Sequence, residues 1–204
     1  GPLSGGHVES GEAGLQPIGA GTAGNHNYGT CEVLADGTWT YTLNNTRPAG
    51  QALPVCAALL DTITVTSEDS SDTQVITVTI SGSNDGASIS GTATGTATED
   101  TGLTVSGTLS VSDVDTGEAE LQPIAAGTAG NNNYGTFEVL ADGTWTYTLN
   151  NTLPAVQALP VGATLLDTIT VTSEDSSDTQ VITCLLYTSP SPRDRTRSRM
   201  PSSA

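Results

Sequence analysis

Six carboxylates stand within residues 81–118, at Asp85, Glu99, Asp100, Asp113, Asp115 and Glu118, with no Lys or Arg among them. Most of the intervening residues are Gly, Ser, Thr and Ala, and none offsets that charge. Oxygen donors gathered without a cation suit a hard metal ion, and Ca²⁺ takes about six to eight such oxygens. A solvated acidic linker is the other reading of the same residues. Position favours the ion, because the acids lie where two copies of one sequence join.

Other chemistry finds little support. A catalytic or zinc centre needs His, Cys or carboxylate clustered at ligand spacing. Cys31 and Cys56 stand where the other copy has Phe137 and Gly162, and Cys184 opens the tail. His7 and His26 likewise answer to Asp113 and Asn132. With no cysteine recurring at its equivalent position, a disulfide framework is not expected, nor is an enzyme active site.

The elements that position the acids are set by a repeat. Trp39 and Trp145 sit in the same phrase, ADGTWTYTLNNT, 106 residues apart, and residues 11–77 differ from 117–183 at only eight of 67 positions. A period that long is domain-sized, so the chain is a tandem array of domains and not a solenoid. The expected division is 1–80, a first repeat lacking its opening strand; 81–88, a linker; 89–183, a second repeat cut short; and 184–204, a foreign tail. Local signals are β throughout. Residues 38–43 alternate, with Trp39, Tyr41 and Leu43 on one face and threonines on the other. Asp36-Gly37 marks a two-residue hairpin turn back to a strand at 28–34, and residues 48–54 allow one helical turn at most. Ile63 and Val65, then Ile76, Val78 and Ile80, alternate with threonines on either side of the acidic turn at 68–72. Seven or so short strands per repeat imply an all-β, two-sheet sandwich.

Charge narrows the partners. The chain carries 22 acids and 5 bases, a formal net charge of −17. Arg47 is the sole base before residue 184, and there is no Lys. Such a body repels nucleic acid and anionic membranes. No apolar run approaches the roughly 20 residues of a membrane span. With neither an initiator Met nor a secretory signal pattern at its start, the sequence reads as an internal piece of a longer protein. The tail, CLLYTSPSPRDRTRSRMPSSA, breaks the repeat in mid-strand and reverses the charge. It resembles the translation of a sequencing-library transposase adapter, so its Arg run is not taken as an RNA-binding arm. The chain from Ser189 onward is expected to be disordered, with Leu185, Leu186 and Tyr187 extending the last strand a little.

The phrases GTLSVSDVDTGE, YGTFEVLADGTWTYTLNNT and VTVTISGSND closely resemble the VCBS repeat, a bacterial cadherin-like, immunoglobulin-like module of large secreted adhesins of the RTX type. The resemblance covers nearly all of 1–183. It implies tandem Ig-like or cadherin-like β-sandwich domains, type I secretion to the cell surface or exterior, and a part in cell adhesion and biofilm. It also implies calcium at domain junctions, with Asn84 and Asp85 of the linker, Glu99 and Asp100, then Asp113 and Asp115 with Glu118 nearby as ligands. The first copy departs from that pattern, with His7 and Glu9 at the positions of Asp113 and Asp115. The leading expectation is a calcium-stiffened spacer whose partners are neighbouring repeats of the same chain, with cell-surface polysaccharide a further partner class. A carbohydrate-binding module, using Tyr28 and Tyr134 as sugar contacts, and an accessory domain of a secreted hydrolase are the alternatives.

Overall fold

The computed structural model describes residues 14–188. The Arg-rich tail from Ser189 and the first-copy positions His7 and Glu9 lie outside them. The chain divides into two units, one ending at Asp85 and the other beginning at Gly86.

Thr, Val and Ile in alternation favour a pleated, half-buried surface, and each unit is built from such strands. The second unit runs β6 (Ser88–Gly91), β7 (Thr94–Thr98), β8 (Thr104–Ser112), β9 (Ile124–Ala129), β10 (Gly135–Val139), β11 (Thr144–Leu149), the single turn α2 (Pro154–Gln157), β12 (Thr164–Thr172) and β13 (Thr179–Tyr187). One sheet has the order β6-β8-β11-β10-β9, the other β12-β13-β7. Their inward rows make one core. Leu109, Phe137, Val139, Trp145, Tyr147 and Leu149 come from the first sheet, and Ala97, Val171, Ile182 and Leu186 from the second. The expected all-β two-sheet sandwich is present.

The first unit repeats part of this plan. It has β1 (Ile18–Ala23), β2 (Gly29–Val33), β3 (Trp39–Leu43), α1 (Pro48–Gln51), β4 (Ala58–Thr66) and β5 (Thr73–Ser81), in sheets β1-β2-β3 and β4-β5. Cys31 is 1% exposed, as is Phe137 in the equivalent slot.

One local expectation needs correction. The hairpin turn is not two residues long. Leu34 N donates to Thr38 O at 2.8 Å and Gly37 N to Leu34 O at 3.0 Å, which leaves three residues in the loop, with Gly37 in the left-handed region at φ +85°. That is a type I turn closed by a bulge, which matches strand twist better than a plain type I turn. The last strand extends past Thr183, as expected of Leu185, Leu186 and Tyr187. β13 runs on through 184–187, pairing with β12 from Asp167↔Cys184 to Thr164↔Tyr187 and with β7 from Cys184↔Gly95 to Tyr187↔Thr98. Cys-Leu-Leu-Tyr stands where the first copy has Val78-Thr79-Ile80-Ser81. Its apolar parity is the same, so Cys184 and Leu186 enter the core at 0% and 1% exposure.

Candidate metal centre

β8 delivers the chain to one pole of the second unit, where Ser112 pairs with Ser88 of β6. Residues 113–118 then form a tight loop. Asp115 N donates to Asp113 Oδ1 at 2.8 Å, Glu118 N to Asp115 O at 3.3 Å, and Gly117 takes φ +90°. The loop is anchored by Leu121, fully buried and bridged to Ser173. Val114 points outward at 56% exposure while Asp115 is 2% exposed. One carboxylate oxygen each from Asp113, Asp115 and Glu118 lies within 4.8 Å of the others. Among the described residues, Asp113 Oδ2 and Glu118 Oε2 are buried and accept no hydrogen bond. A buried carboxylate oxygen without a donor is costly, and a cation is the simplest compensation.

A second loop closes on the same pole. Ser177 Oγ accepts from Ala87 N at 2.7 Å, and Asp178 Oδ2 accepts from Ile89 N at 2.8 Å, so the loop before β13 holds the strand that enters the unit. Burial raises the Glu118 carboxyl above the usual range, helped by the charges of Asp115, Asp113, Asp175 and Glu174. Asp175 and Glu174 were missed in the sequence, where the SEDSSD stretch reads only as a turn. Their proximity to a loop some 60 residues earlier exists only once β12 and β13 are in place.

Glu99 and Asp100, two of the expected ligands, do not gather here. Glu99 and Asp100 follow β7, which runs parallel to β13 with Thr98 beside Tyr187. Glu99 N donates to Tyr187 O at 3.0 Å, and Asp100 is bracketed by Asn151, whose Nδ2 donates to Asp100 Oδ1 at 2.8 Å. They therefore lie at the far end of a nine-residue strand, roughly 30 Å from the loops before β13 at about 3.3 Å per residue. The nine residues of β8 between Asp100 and Asp113 explain the separation, since one extended strand carries the chain from pole to pole. Asn84 and Asp85 belong to the first unit, where Asn84 Nδ2 donates to Asp85 O at 2.9 Å.

Two other acids, unremarked in the sequence, are wholly buried. Asp167 accepts from the amides of Asn132, Thr168, Tyr134 and Gly135 and from the Tyr147 hydroxyl, all within 2.9–3.1 Å. Asp61 takes the amides of His26, Tyr28 and Thr62 and the Tyr41 hydroxyl in the first unit. A Cβ at Gly130 or Gly24 would fall 2.3 Å from the carboxylate, so glycine is required for that approach. Each acid ties down the AGNxNYG loop that carries Tyr134 or Tyr28. Tyr134 packs half-buried against the core, and Tyr28 stacks on His26 at 6.1 Å, which is not the open aromatic platform a sugar site needs.

Comparison with known proteins gives three findings. The model of a family described as the bacterial cadherin-like domain matches residues 84–185. No curated protein matches the chain. Among solved structures, a protocadherin gammaB7 EC3-6 cis-dimer is 16% identical at a TM-score of 0.46, covering 90% of this chain and 41% of its own. The protocadherin gammaB4 extracellular domain is 13% identical at 0.41, covering 86% and 26%. Domains 4 and 5 of the S-layer protein SbsC are 15% identical at 0.32, covering 85% and 96%. The chain thus spans about two fifths of the first of these structures.

Proposed function

Because the chain belongs to the bacterial cadherin-like domain family, whose model matches half its length, we propose that it is a calcium-stiffened structural and adhesive repeat of a large secreted bacterial surface protein. Domains of this family generally bind calcium, are extracellular and are typically non-enzymatic. No helix among the described residues is long and apolar enough to cross a membrane.

The observation that carries the calcium reading is the meeting of Asp113, Asp115 and Glu118 within 4.8 Å. Hard carboxylate oxygens, with no thiolate or imidazole among them, fit Ca²⁺ rather than zinc. Asp113, Asp115 and Glu118 would hold the ion, with Asp175 and Glu174 next to them and Asn84 and Asp85 retained as ligands by the resemblance. Bound calcium would supply the positive charge that five neighbouring acids lack. Two unit charges of like sign about 4 Å apart repel by roughly 4 kcal/mol at an effective dielectric near 20, and a bound cation would offset repulsion of that order. The adhesive role, the secretion route and the biofilm setting rest on the family resemblance.

Calorimetric titration of Ca²⁺ into the full chain tests the reading. Binding is expected with a constant of about 10⁻⁴–10⁻³ M, the range of extracellular modules. Asp113→Ala with Asp115→Ala abolishes it, whereas Glu99→Gln, at the other pole, leaves it unchanged. No calcium heat in the parent chain would make the acids a solvated loop.

A further inference from the structure

Three Asp-Gly pairs occur in the chain, Asp36-Gly37, Asp85-Gly86 and Asp142-Gly143. The dipeptide carries a latent reaction. With no side chain on the glycine, its amide nitrogen can close on the aspartyl carboxyl to form a five-membered ring. Whether it does so depends on how the backbone is held, and the structure holds the three pairs differently.

Asp36-Gly37 and Asp142-Gly143 lie in hairpin turns. Gly37 N donates to Leu34 O and Gly143 N to Leu140 O, both at 3.0 Å, so each nitrogen is already committed. Asp36 Oδ1 accepts from Thr38 N and Asp142 Oδ1 from Thr144 N, both at 2.9 Å, which turns each carboxylate toward the residue beyond the glycine. Both glycines are buried and stand at φ +85° and +86°. A Cβ at Gly143 would collide with the Leu109 carbonyl. Ring closure there requires two hydrogen bonds to open and a peptide to swing inside a packed turn.

Asp85-Gly86 is held otherwise. It lies in residues 82–87, between β5 and β6, a stretch outside any helix or strand. Asp85 and Gly86 are both exposed, and a Cβ at Gly86 would meet no atom within 4 Å. Gly86 N donates to no group among the described residues. The backbone amides that do anchor this stretch stand to either side, with Gly82 N donating to Ala57 O at 3.1 Å and Ala87 N to Ser177 Oγ at 2.7 Å.

We propose that Asp85 is a modification site, converted spontaneously to isoaspartate through a cyclic imide with Gly86. The Gly86 nitrogen attacks Asp85 Cγ. A C–N bond forms, the carboxyl C–O bond breaks, and its hydroxyl leaves with the amide proton as water. Water then adds back to the imide at one of two carbonyls. Opening at Cγ restores aspartate, whereas opening at the Asp85 backbone carbonyl leaves the main chain running through the side chain. The net change is an isomerisation with no change of mass and no transfer of electrons. It inserts one methylene into the main chain at residue 85 and leaves the carboxylate directly on Cα. The inference does not depend on calcium.

The test holds the full chain in warm, near-neutral buffer over weeks, both folded and in urea. Peptide mass spectrometry with fragmentation that separates the two isomers then maps isoaspartate. In the folded chain residue 85 isomerises at least about tenfold faster than residues 36 and 142, because their turns must open first. In urea the three residues isomerise at similar rates. Gly86→Val, which places a branched side chain beside the attacking nitrogen in open space, suppresses the product at residue 85. A yield at residue 85 of the folded chain no higher than at 36 and 142 overturns the proposal. So does a rate at residue 85 that rises about tenfold or more in urea, which would mean that the fold shields it. Equal yield from the Gly86→Val chain overturns it as well.

Discussion

At the scale of single residues, the chain holds two kinds of buried acid with opposite behaviour. Burial alone pushes the Asp61 carboxyl up, but hydrogen bonds from the His26 amide, the Tyr41 hydroxyl and the Thr62 and Tyr28 amides outweigh it, and its pKa lies below the usual range. A lowered folded pKa stabilises the fold above the ordinary Asp value of about 3.9, and that contribution is lost as pH falls through the lowered value. Asp61→Asn should therefore destabilise the first unit by on the order of 2–4 kcal/mol near neutral pH, since charge-accepting hydrogen bonds are lost. The gap from the parent should narrow as denaturant melts are moved below about pH 4; a gap that stays constant with pH would mean that the charge contributes nothing. Cys31 offers a second test. It occupies the slot in which Phe137 lies 4.6 Å from Tyr147, and it is as buried as that ring. Cys31→Phe should raise the unfolding midpoint of the first unit, a gain of about 2–4 kcal/mol if the slot accepts the ring without strain. Cys184, by contrast, is a core thiol pushed up to about 12 by burial and by the Asp167 charge, and it stays protonated at neutral pH.

At the scale of elements, β13 shows how little a strand asks of its sequence once its neighbours are set. Residues 184–187 share no identity with 78–81, but both stretches place apolar side chains at the inward positions and end nine-residue strands. Exchanging Cys184-Leu185-Leu186-Tyr187 for Val-Thr-Ile-Ser should change the stability of the second unit by less than about 1.5 kcal/mol, the range of volume-conserving core exchanges. Ending the chain at Thr183 should cost far more, because four residue pairs with β7 and the buried Leu186 disappear together. Thermal melts of the three chains make the comparison. Equal melting of the shortened and parent chains would show that the end of β13 is not part of the core.

At the scale of the whole molecule, near-identical sequences give units whose described cores differ in size. Among the described residues, the core of the second unit gathers 14 buried residues, including both Trp145 and Tyr147, whereas that of the first gathers six and leaves Trp39 and Tyr41 at its margin. Hydrophobic stabilisation scales with the apolar area removed from water. Urea should accordingly unfold the chain in two steps, the first unit before the second. Calcium should move the later step most, because Asp113, Asp115 and Glu118 all lie in the second unit. At ten times its dissociation constant the shift is about 1.4 kcal/mol. Amide exchange assigns each step to its unit, and a calcium shift confined to the earlier step would place the site elsewhere.

The amino-acid sequence determined what depends on neighbours along the chain. The tandem repeat, the strand positions, the one-turn helices and the inward row of Trp, Tyr and Leu all follow from period-2 alternation and turn residues. Even the turn after Leu34 was placed correctly and misjudged only in length. Tertiary structure decided which distant residues meet. Glu99 and Asp100 stand closer in sequence to Asp113 than Asp175 does, yet an extended strand takes them to the opposite pole while β12 and β13 bring Asp175 back to Glu118. Asp167 is similar, for its partners at 132–135 are more than 30 residues away and are joined to it only by the packing of two sheets. In a β-sandwich each strand spans the whole unit, so nearness along the chain and nearness in space part company at every strand. The acids that meet in one cluster are chosen by topology, not by spacing.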